Sequence, residues 1–196
     1  MADSYLANIK FLVVEDNGFM QTVVRRVLSA LGAGEVRECN DGADALKILQ
    51  NFPADIIITD WAMDPIDGID LTQMIRTAPD SLNPYVPIIM LSAYSEMNRI
   101  VEARDSGVNE FVVKPVSVNA LFNRIQAVIE KPRPFIRIKG FFGPDRRRRN
   151  MPFADKDRRL APTTLPDGVG SHEPELDQDE VNEFMNPTNG EGEAGE

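Results

Sequence analysis

The chain has 196 residues, a formal net charge of -10 at neutral pH and a hydrophobic content of 42%, which is enough for a buried core. It has no apolar run of the ~20 residues that a membrane helix needs, and its start, MADSYLANIK, lacks the basic and apolar regions of a secretory signal. A single cysteine, Cys39, excludes an internal disulfide. These features predict a cytoplasmic protein with no membrane insertion.

The charge is distributed unevenly along the chain. Residues 1–130 hold 10 Lys and Arg against 18 Asp and Glu, residues 131–170 hold 11 against 4, and residues 171–196 hold none against 9. The two changes of sign, at Lys131 and near Ser171, predict three segments with different roles. We expect a folded domain, a basic extension rich in Arg and Phe over 131–170, and an acidic tail over 171–196.

Within the first segment, short apolar runs alternate with longer stretches of helical spacing. The runs IKFLVVE, DIIIT, VPIIML and EFVV are typical of strands buried on both faces, and EVREC is a weaker candidate. The stretches between them, such as GFMQTVVRRVLSAL and SVNALFNRIQAVIE, repeat apolar residues every three or four positions. Asp41 and Ser95 are candidate helix N-caps, and Gly107 is a candidate helix end. The alternation predicts five strand–helix units and a parallel sheet covered by helices on both faces.

Beyond Glu130 the strand–helix pattern stops. The stretch KPRPFIRIKGFFGPDRRRR is interrupted by Pro and Gly. Most of the remaining chain is low in large apolar residues and rich in Pro, Gly and acidic residues, which predicts a largely disordered C-terminal tail. Within that tail, DEVNEFM is a candidate short helix for binding a partner.

Polar side chains stand at the ends of four predicted strands. Glu15 and Asp16 follow the first strand, Asp60 the third, Ser92 the fourth and Lys114 the fifth. In a parallel sheet these ends share one edge, where ligands bind. Clustered carboxylates favour a hard cation, so Mg²⁺ is expected, and a carboxylate beside Mg²⁺, a lysine and a hydroxyl can receive a phosphoryl group. Each residue alone is more often a solvated group or a helix cap, but the combination indicates a phosphoryl-receiving site.

Four motifs carry a family resemblance: VVEDN, IITDWAMDPIDG, MLSAY and FVVKP. With them, residues 8–130 resemble the receiver domain of bacterial response regulators, the CheY-like family. The resemblance implies a flavodoxin-like, doubly wound (βα)5 fold with a parallel sheet of strand order 2-1-3-4-5. It also implies a phosphorelay protein, not an enzyme, that is phosphorylated by a sensor histidine kinase or a histidine phosphotransfer protein and acts on a downstream protein target.

Matched motif by motif, the resemblance assigns the acidic residues. Asp60 would be the phosphorylated residue. Asp16 and Asp60 would bind Mg²⁺ directly, and Glu15 would bind it through water. The backbone carbonyl of Ala62 would be a further ligand.

The resemblance also implies a switch. Ser92 would be its hydroxyl, Lys114 would pair with the phosphoryl oxygens, and the Lys114–Pro115 bond would be cis. Phe111 occupies the aromatic switch position and would fill the space that opens when Ser92 moves toward the phosphoryl group. In the family, the surface that changes is the fourth helix, the fifth strand and the fifth helix.

Two positions near the expected site need separate comment. One departs from the usual family pattern, and the other carries a large side chain. The family usually has proline four residues after the acceptor; here that position is Asp64, and Pro65 follows. We expect the loop to bend differently and to carry one more charge near the site. Tyr94, two residues after Ser92, is large, and we expect it to shield a phosphoryl group from water.

The stretch FFGPDRRRRNMPF is the most basic part of the chain. Guanidinium groups bind phosphate and read guanine, and a carboxylate can accept from the donor edge of guanine. The stretch resembles the arginine-rich extension of the Cle subgroup of CheY-like proteins, which bind cyclic di-GMP and act at the flagellar motor; no PilZ signature is present. The candidate nucleotide-binding residues are Asp145, Arg146, Arg147, Arg148 and Arg149.

Other interpretations stay open at this point. The arginines could instead contact the acidic tail or the acidic edge of the sheet within the same molecule, or bind nucleic acid, which the acidic flanking segments would disfavour. The acidic site could belong to a phosphatase of similar topology, although no second nucleophile–acid pair follows Asp60. It could also belong to a scaffold that is never phosphorylated.

Overall fold

Five parallel strands form the central sheet, in the order β2-β1-β3-β4-β5. The structure is a computed structural model that describes residues 5–93, 96–138, 140–146, 177–179 and 181. The strands are β1 Lys10–Val14, β2 Glu35–Cys39, β3 Ile56–Asp60, β4 Ile88–Ser92 and β5 Glu110–Val113. This confirms the flavodoxin-like fold and strand order, and the weak candidate EVREC is a strand of the sheet.

Five helices connect the strands and cover the sheet. They are α1 Gly18–Ala30, α2 Gly42–Leu49, α3 Gly68–Thr77, α4 Met97–Ser106 and α5 Val118–Glu130. Apolar side chains of α1 and α5 pack on one face of the sheet, and those of α2, α3 and α4 pack on the other. Because both faces are covered, β1, β3 and β4 are almost entirely buried, which explains their continuous Ile and Val content.

Two of the three predicted helix ends are confirmed. Asp41 caps α2 by accepting a hydrogen bond from the Asp44 N–H, and Gly107 ends α4 in the left-handed conformation with φ of 105°. The third prediction, Ser95, lies outside the described residues. The N-cap of α4 is Glu96, whose side chain makes no capping hydrogen bond.

The sequence analysis predicted no strand after Glu130, but the structure has two there. Strands β6 Phe135–Ile138 and β7 Phe141–Pro144 pair antiparallel as a hairpin. Their register pairs Ile138 with Phe141, and Gly140 in the turn has a φ of 81°, which glycine adopts without strain. Two residues between strands is the commonest hairpin connection, so the turn signal was present between FIRI and FFGP.

The hairpin packs against the ends of α3 and α4. Phe141 and Phe142 are buried, and Gly143 lies so close to Gly107 that a Cβ at Gly143 would be 2.9 Å from the Gly107 Cα. Gly107 precedes β5, so the hairpin covers the amino ends of the strands. The basic extension therefore begins at the edge of the sheet opposite to the acidic side chains.

A buried ionic cluster joins β5, α5 and the chain that leads to the hairpin. Glu110 is 3% exposed and forms ion pairs with Arg124 of α5 at 3.0 Å and with Arg133 at 3.4 Å. Two arginines on one buried carboxylate compensate its loss of hydration. The segment after α5 is thus attached to the fold before the hairpin begins.

Two further observations concern the rest of the chain. Part of the predicted helix DEVNEFM is described, and Val181 is fully buried against the domain. Among the residues that the structure describes, no helix is both long and apolar enough to cross a membrane.

Candidate functional site

Three carboxylates meet at the carboxyl edge of the sheet. Glu15 follows β1, Asp16 comes next, and Asp60 ends β3, and one oxygen of each lies within 4.8 Å of the others. Glu15 and Asp60 are buried, whereas Asp16 is exposed. The sequence-based grouping of these three residues therefore agrees with the geometry.

Lys114 lies between two of these carboxylates. Its Nζ is 2.8 Å from Asp60 Oδ1 and 3.0 Å from Glu15 Oε2. Burial raises the pKa of Glu15, the charge of Asp60 adds to that effect, and the hydrogen bond from Lys114 partly offsets it. Burial alone would lower the pKa of Lys114, but its hydrogen bonds to Asp60 and Glu15 outweigh it, so that this pKa is raised and the ammonium stays charged. The Lys114–Pro115 bond is cis.

The other side chains of the expected switch are buried beside the carboxylates. Ser92 ends β4 and is 1% exposed, and its backbone carbonyl accepts a hydrogen bond from the Lys114 N–H at 2.7 Å. Phe111 on β5 is 1% exposed. Trp61 connects Phe111 with the acidic cluster. Its ring packs edge-on against Phe111 at 6.4 Å, and its backbone N–H donates to Asp60 Oδ1 at 2.8 Å.

The loop after β3 folds back onto the strand end. The Gly68 N–H donates to the Trp61 carbonyl at 2.9 Å, and a Cβ at Gly68 would lie 2.1 Å from the carbonyl oxygen of Asp60. Only glycine fits at that distance. The loop also contains the expected departure from the family pattern, Asp64–Pro65, whose peptide bond is cis.

An open cleft of 360 Å³ adjoins the acidic cluster at Asp16. It is lined by Asp16, Trp61, Ala62, Met63, Asp64, Asp67 and Arg99. Ala62, the residue whose carbonyl was expected as a ligand, is thus on the same cleft as Asp16. The guanidinium of Arg99 lies 5.6 Å from the centroid of the Trp61 ring and supplies a positive charge on the α4 side.

The donor set fits Mg²⁺. All three clustered groups are carboxylates, which are hard oxygen ligands, and the open side of the cluster leaves room for the waters that Mg²⁺ retains. Lys114 neutralises part of the charge on the buried side. The exposed side, at Asp16, is therefore where a divalent cation adds most to the charge balance.

Comparison with known proteins identifies the fold and the acidic site together. Residues 11–126 match the response regulator receiver domain family. The chain belongs to this family. Within it, the chain is similar to the chemotaxis protein CheY-3 of Vibrio cholerae, with 34% identity over 124 residues, or 63% of this chain and 94% of the relative.

Two other similarities agree with this result. The chemotaxis protein CheY of Pseudomonas aeruginosa is 33% identical over 123 residues, covering 63% of this chain and 98% of the relative. The solved receiver domain of the histidine kinase CKI1 from Arabidopsis thaliana, a variant, has a TM-score of 0.59 and 28% identity over 66% of this chain and 95% of its own. The protein is therefore a CheY-like receiver-domain response regulator of a two-component system. Receiver domains bind Mg²⁺ at an acidic pocket and interact with histidine kinases and downstream targets.

The arginine-rich residues are only partly described. Arg146 Nη1 pairs with Asp105 Oδ1 of α4 at 3.1 Å, and its guanidinium lies 4.0 Å from the Phe141 ring centroid. The Asp145 N–H donates to the Pro134 carbonyl at 2.7 Å. The other three arginines of the predicted site, residues 147–149, lie outside the described residues, as does Tyr94.

Sequence reasoning missed three residues that shape the receiver site. Trp61 and Gly68 fall within the quoted motif IITDWAMDPIDG, but neither was given a role. The signal for Gly68 was a glycine that opens a helix soon after a buried strand, where the backbone can approach another segment closely. Arg99 gave no signal, because its position over Trp61 depends on how α4 packs.

Proposed function

We propose that this protein is a response regulator that is switched by phosphorylation of Asp60. The observation that carries the proposal is the position of Lys114, whose ammonium touches both Asp60 and Glu15 while three carboxylates share one cluster. An ammonium beside a buried carboxylate stabilises the negative charge that a phosphoryl group brings. The donor is a histidine kinase or a histidine phosphotransfer protein, and the receiver domain spans residues 8–130.

In the transfer, a carboxylate oxygen of Asp60 forms a bond to phosphorus as the bond from phosphorus to the donor histidine nitrogen breaks. The electron pair of the broken bond stays on the imidazole. Asp16, Asp60 and the Ala62 carbonyl would hold Mg²⁺, with Glu15 reaching it through water, and the metal would supply positive charge to the phosphoryl oxygens. Lys114 supplies the second positive charge and keeps the phosphoryl group oriented.

The switch follows from the groups around Asp60. Phosphorylation adds negative charge at the carboxyl edge of the sheet, and the Ser92 hydroxyl and the Lys114 ammonium turn toward it. Phe111 and Trp61 are packed edge-on, so a shift of either ring changes the packing of β5 with α4. The output is then a change in the surface formed by α4, β5 and α5, which is read by a downstream protein.

Covalent labelling with radioactive acetyl phosphate in the presence of Mg²⁺ tests this proposal. The wild-type chain should incorporate about one phosphoryl group per molecule, and Asp60→Asn should abolish incorporation. Asp80→Asn is the control, because Asp80 is an exposed acid away from the acidic cluster. Unchanged labelling of Asp60→Asn would reject the proposal, and steady release of phosphate from other phosphate esters would favour a phosphatase instead.

We also propose a biological context. The two curated relatives are named as chemotaxis proteins, which favours a cytoplasmic protein that controls motility through a downstream target, with the flagellar motor switch as the first candidate. Labelled, phosphorylated chain should then bind that partner more tightly than Asp60→Asn does. Equal binding of the phosphorylated chain and of Asp60→Asn would contradict control of this partner by phosphorylation.

A second input by cyclic di-GMP rests on the basic extension. The density of arginines in residues 146–149 supports it, because adjacent guanidinium groups suit both phosphate and guanine. The pairing of Arg146 with Asp105 instead favours an intramolecular role for that arginine. The proposed ligand site therefore depends on Arg147, Arg148 and Arg149, with Asp145 at its border.

Calorimetric titration of cyclic di-GMP into the full-length chain decides between these roles. Binding that is lost when all three arginines of 147–149 are changed to Ser, and retained in Arg137→Ser, would support the second input. No heat of binding with the wild-type chain would leave the arginines with intramolecular or nucleic-acid contacts.

A further inference from the structure

Residues 177–179 and 181 belong to a helical turn that lies against the receiver domain. The Asp179 N–H donates to Asp177 Oδ1 at 2.9 Å, and the Val181 N–H donates to the Asp177 carbonyl at 3.0 Å. Two contacts attach this turn to the domain.

The first contact is with the open edge of the sheet. β5 pairs with β4 on one side only, and the Lys114 N–H donates to the Ser92 carbonyl on that side. The neighbouring Val113 N–H points away from β4, because successive amides of a strand alternate in direction. Gln178 Oε1 accepts this N–H at 2.6 Å. The tail thus satisfies an edge amide that would otherwise need water or another chain.

The second contact is apolar. Val181 is fully buried and belongs to the core cluster on the α2–α4 face of the sheet, which also contains Ile100, Ala103 and Phe111. Gln178 and Val181 are three residues apart, so one face of the turn presents both. Asp177 and Asp179 are exposed, so the acidic groups lie on the opposite, solvent side.

We propose that the tail of this chain, through Gln178 and Val181, occupies the surface between α4 and the open edge of β5. A downstream protein that uses α4 and β5 must then displace the tail. The docking contact does not depend on phosphorylation; only its competition with a downstream protein rests on the proposed function. The same chemistry, an acidic turn with an amide side chain and a small apolar residue three positions later, is expected of the competing partner.

Amide hydrogen exchange by NMR on the unphosphorylated, full-length chain tests the contact directly. In the wild type, the Val113 and Lys114 amides should both exchange slowly. In Gln178→Ala and in Val181→Asp, exchange at Val113 should accelerate by about tenfold or more, whereas Lys114, which is bonded within the sheet, should not change. Asp179→Asn, on the exposed side of the turn, is the control and should behave as the wild type.

Competition is tested with a synthetic peptide of residues 173–187, EPELDQDEVNEFMNP. It should bind the Val181→Asp chain at least about tenfold more tightly than the wild-type chain, whose own tail is present at a high effective concentration. The same peptide carrying Val181→Asp should bind neither chain. Val113 exchange that is insensitive to both tail variants, or a peptide that fails to bind the Val181→Asp chain, would overturn the proposal.

These outcomes are independent of the phosphorylation assay. If Asp60 is not labelled by acetyl phosphate but Val113 exchange responds to the tail variants, the docking site stands and the proposed function fails. If Asp60 is labelled equally in the wild type and in Val181→Asp while Val113 exchange does not respond to the tail variants, the proposed function stands and the docking site fails.

Discussion

The guanidinium of Arg76 lies 5.1 Å from the centroid of the Phe135 ring, so a residue of α3 supports the first strand of the appended hairpin. Arg76 is 2% exposed, and burial lowers its pKa to about 9, which still leaves it charged at neutral pH. It donates hydrogen bonds to the Gly107 and Pro84 carbonyls and to Asn109 Oδ1. One side chain therefore holds together the end of α3, the loop before β4, the start of β5 and the hairpin.

Replacing Arg76 with methionine should lower the free energy of unfolding by about 3 kcal/mol, because the Gly107 and Pro84 carbonyls lose this donor and Asn109 Oδ1 keeps only the hydrogen bond from the Ile88 N–H. Urea denaturation of the full-length chain measures the change. Arg25→Met is the control, since Arg25 is exposed and its ion pair with Glu38 should contribute less than about 1 kcal/mol. Equal effects of the two substitutions would show that the hairpin is not held by Arg76.

The close approach of Gly68 to Asp60 gives a second prediction. In Gly68→Ala the new Cβ would lie 2.1 Å from a backbone oxygen, so the strand end or the loop must shift. We expect a loss of about 2 kcal/mol or more in unfolding free energy. We also expect slower labelling of Asp60 by acetyl phosphate, because the displaced backbone is that of Asp60.

Gly18→Ala is the matched control for this substitution. Gly18 also begins a helix, but a Cβ there has no heavy atom within 4 Å, so alanine should be neutral or slightly stabilising. Both variants are compared by urea denaturation and by labelling rate. A Gly68→Ala chain that is as stable and as reactive as Gly18→Ala would contradict the geometry of the loop.

Most of the receiver domain could be predicted because its signals are local and repeated. Buried parallel strands read as continuous apolar runs, and their polar ends fall at one edge once the sheet is parallel, which is why Asp60, Ser92 and Lys114 could be grouped from sequence. The β6–β7 hairpin could not be predicted in this way. Its strands are only four residues long, and they are stabilised by Arg76 and Tyr85, which are far away in the sequence.

The position of the C-terminal tail could not be predicted from sequence either. The stretch DEVNEFM was recognised as a candidate helix for a partner, and Val181 within it is buried in a core cluster of the receiver domain of the same chain. No pattern in a short acidic stretch specifies which surface it binds. That information lies in the open edge amide of Val113 and in the apolar surface beside it, which exist only after the sheet has formed.

The buried thiol of Cys39 gives a third prediction. Burial, with the charges of Asp41 and Asp44, raises its pKa to about 12. Because the thiolate is the reactive form, the native chain at about pH 8.5 should be alkylated by iodoacetamide roughly a thousandfold more slowly than the urea-unfolded chain. Comparable rates in the two states would show that β2 opens readily.

The raised pKa of Cys39 also makes the stability of the folded chain depend on pH. The pKa of Cys39 in the folded chain is above the ordinary value of a thiol, so its contribution to stability is fully present below that ordinary value and is lost as the pH rises toward about 12. Stability should therefore fall over this alkaline range, and less steeply in Cys39→Ala. Identical alkaline slopes for the two chains would assign the loss to other groups.

The acidic cluster gives a prediction about the effect of Mg²⁺ on stability. A cation that binds only the folded chain stabilises it, by about 1.4 kcal/mol at ten times its dissociation constant. Adding Mg²⁺ should raise the melting temperature of the wild type, and removing it with EDTA should reverse the change. Asp16→Asn should weaken this response because it removes the exposed carboxylate of the cluster, whereas Asp80→Asn, an exposed acid away from the cluster, should not.

Lys114→Met should have the opposite effect on Mg²⁺ binding. The ammonium now neutralises Asp60 and Glu15 at 2.8 and 3.0 Å, so its removal leaves the carboxylates with greater mutual repulsion and a greater gain from a bound cation. We expect tighter Mg²⁺ binding, measured by calorimetry, together with slower labelling of Asp60, because the second positive charge on the phosphoryl oxygens is lost. Weaker Mg²⁺ binding by Lys114→Met than by the wild type would contradict this prediction. It would show that Lys114 positions the carboxylates for the metal, and that its ion pairs with Asp60 and Glu15 do not compete with Mg²⁺.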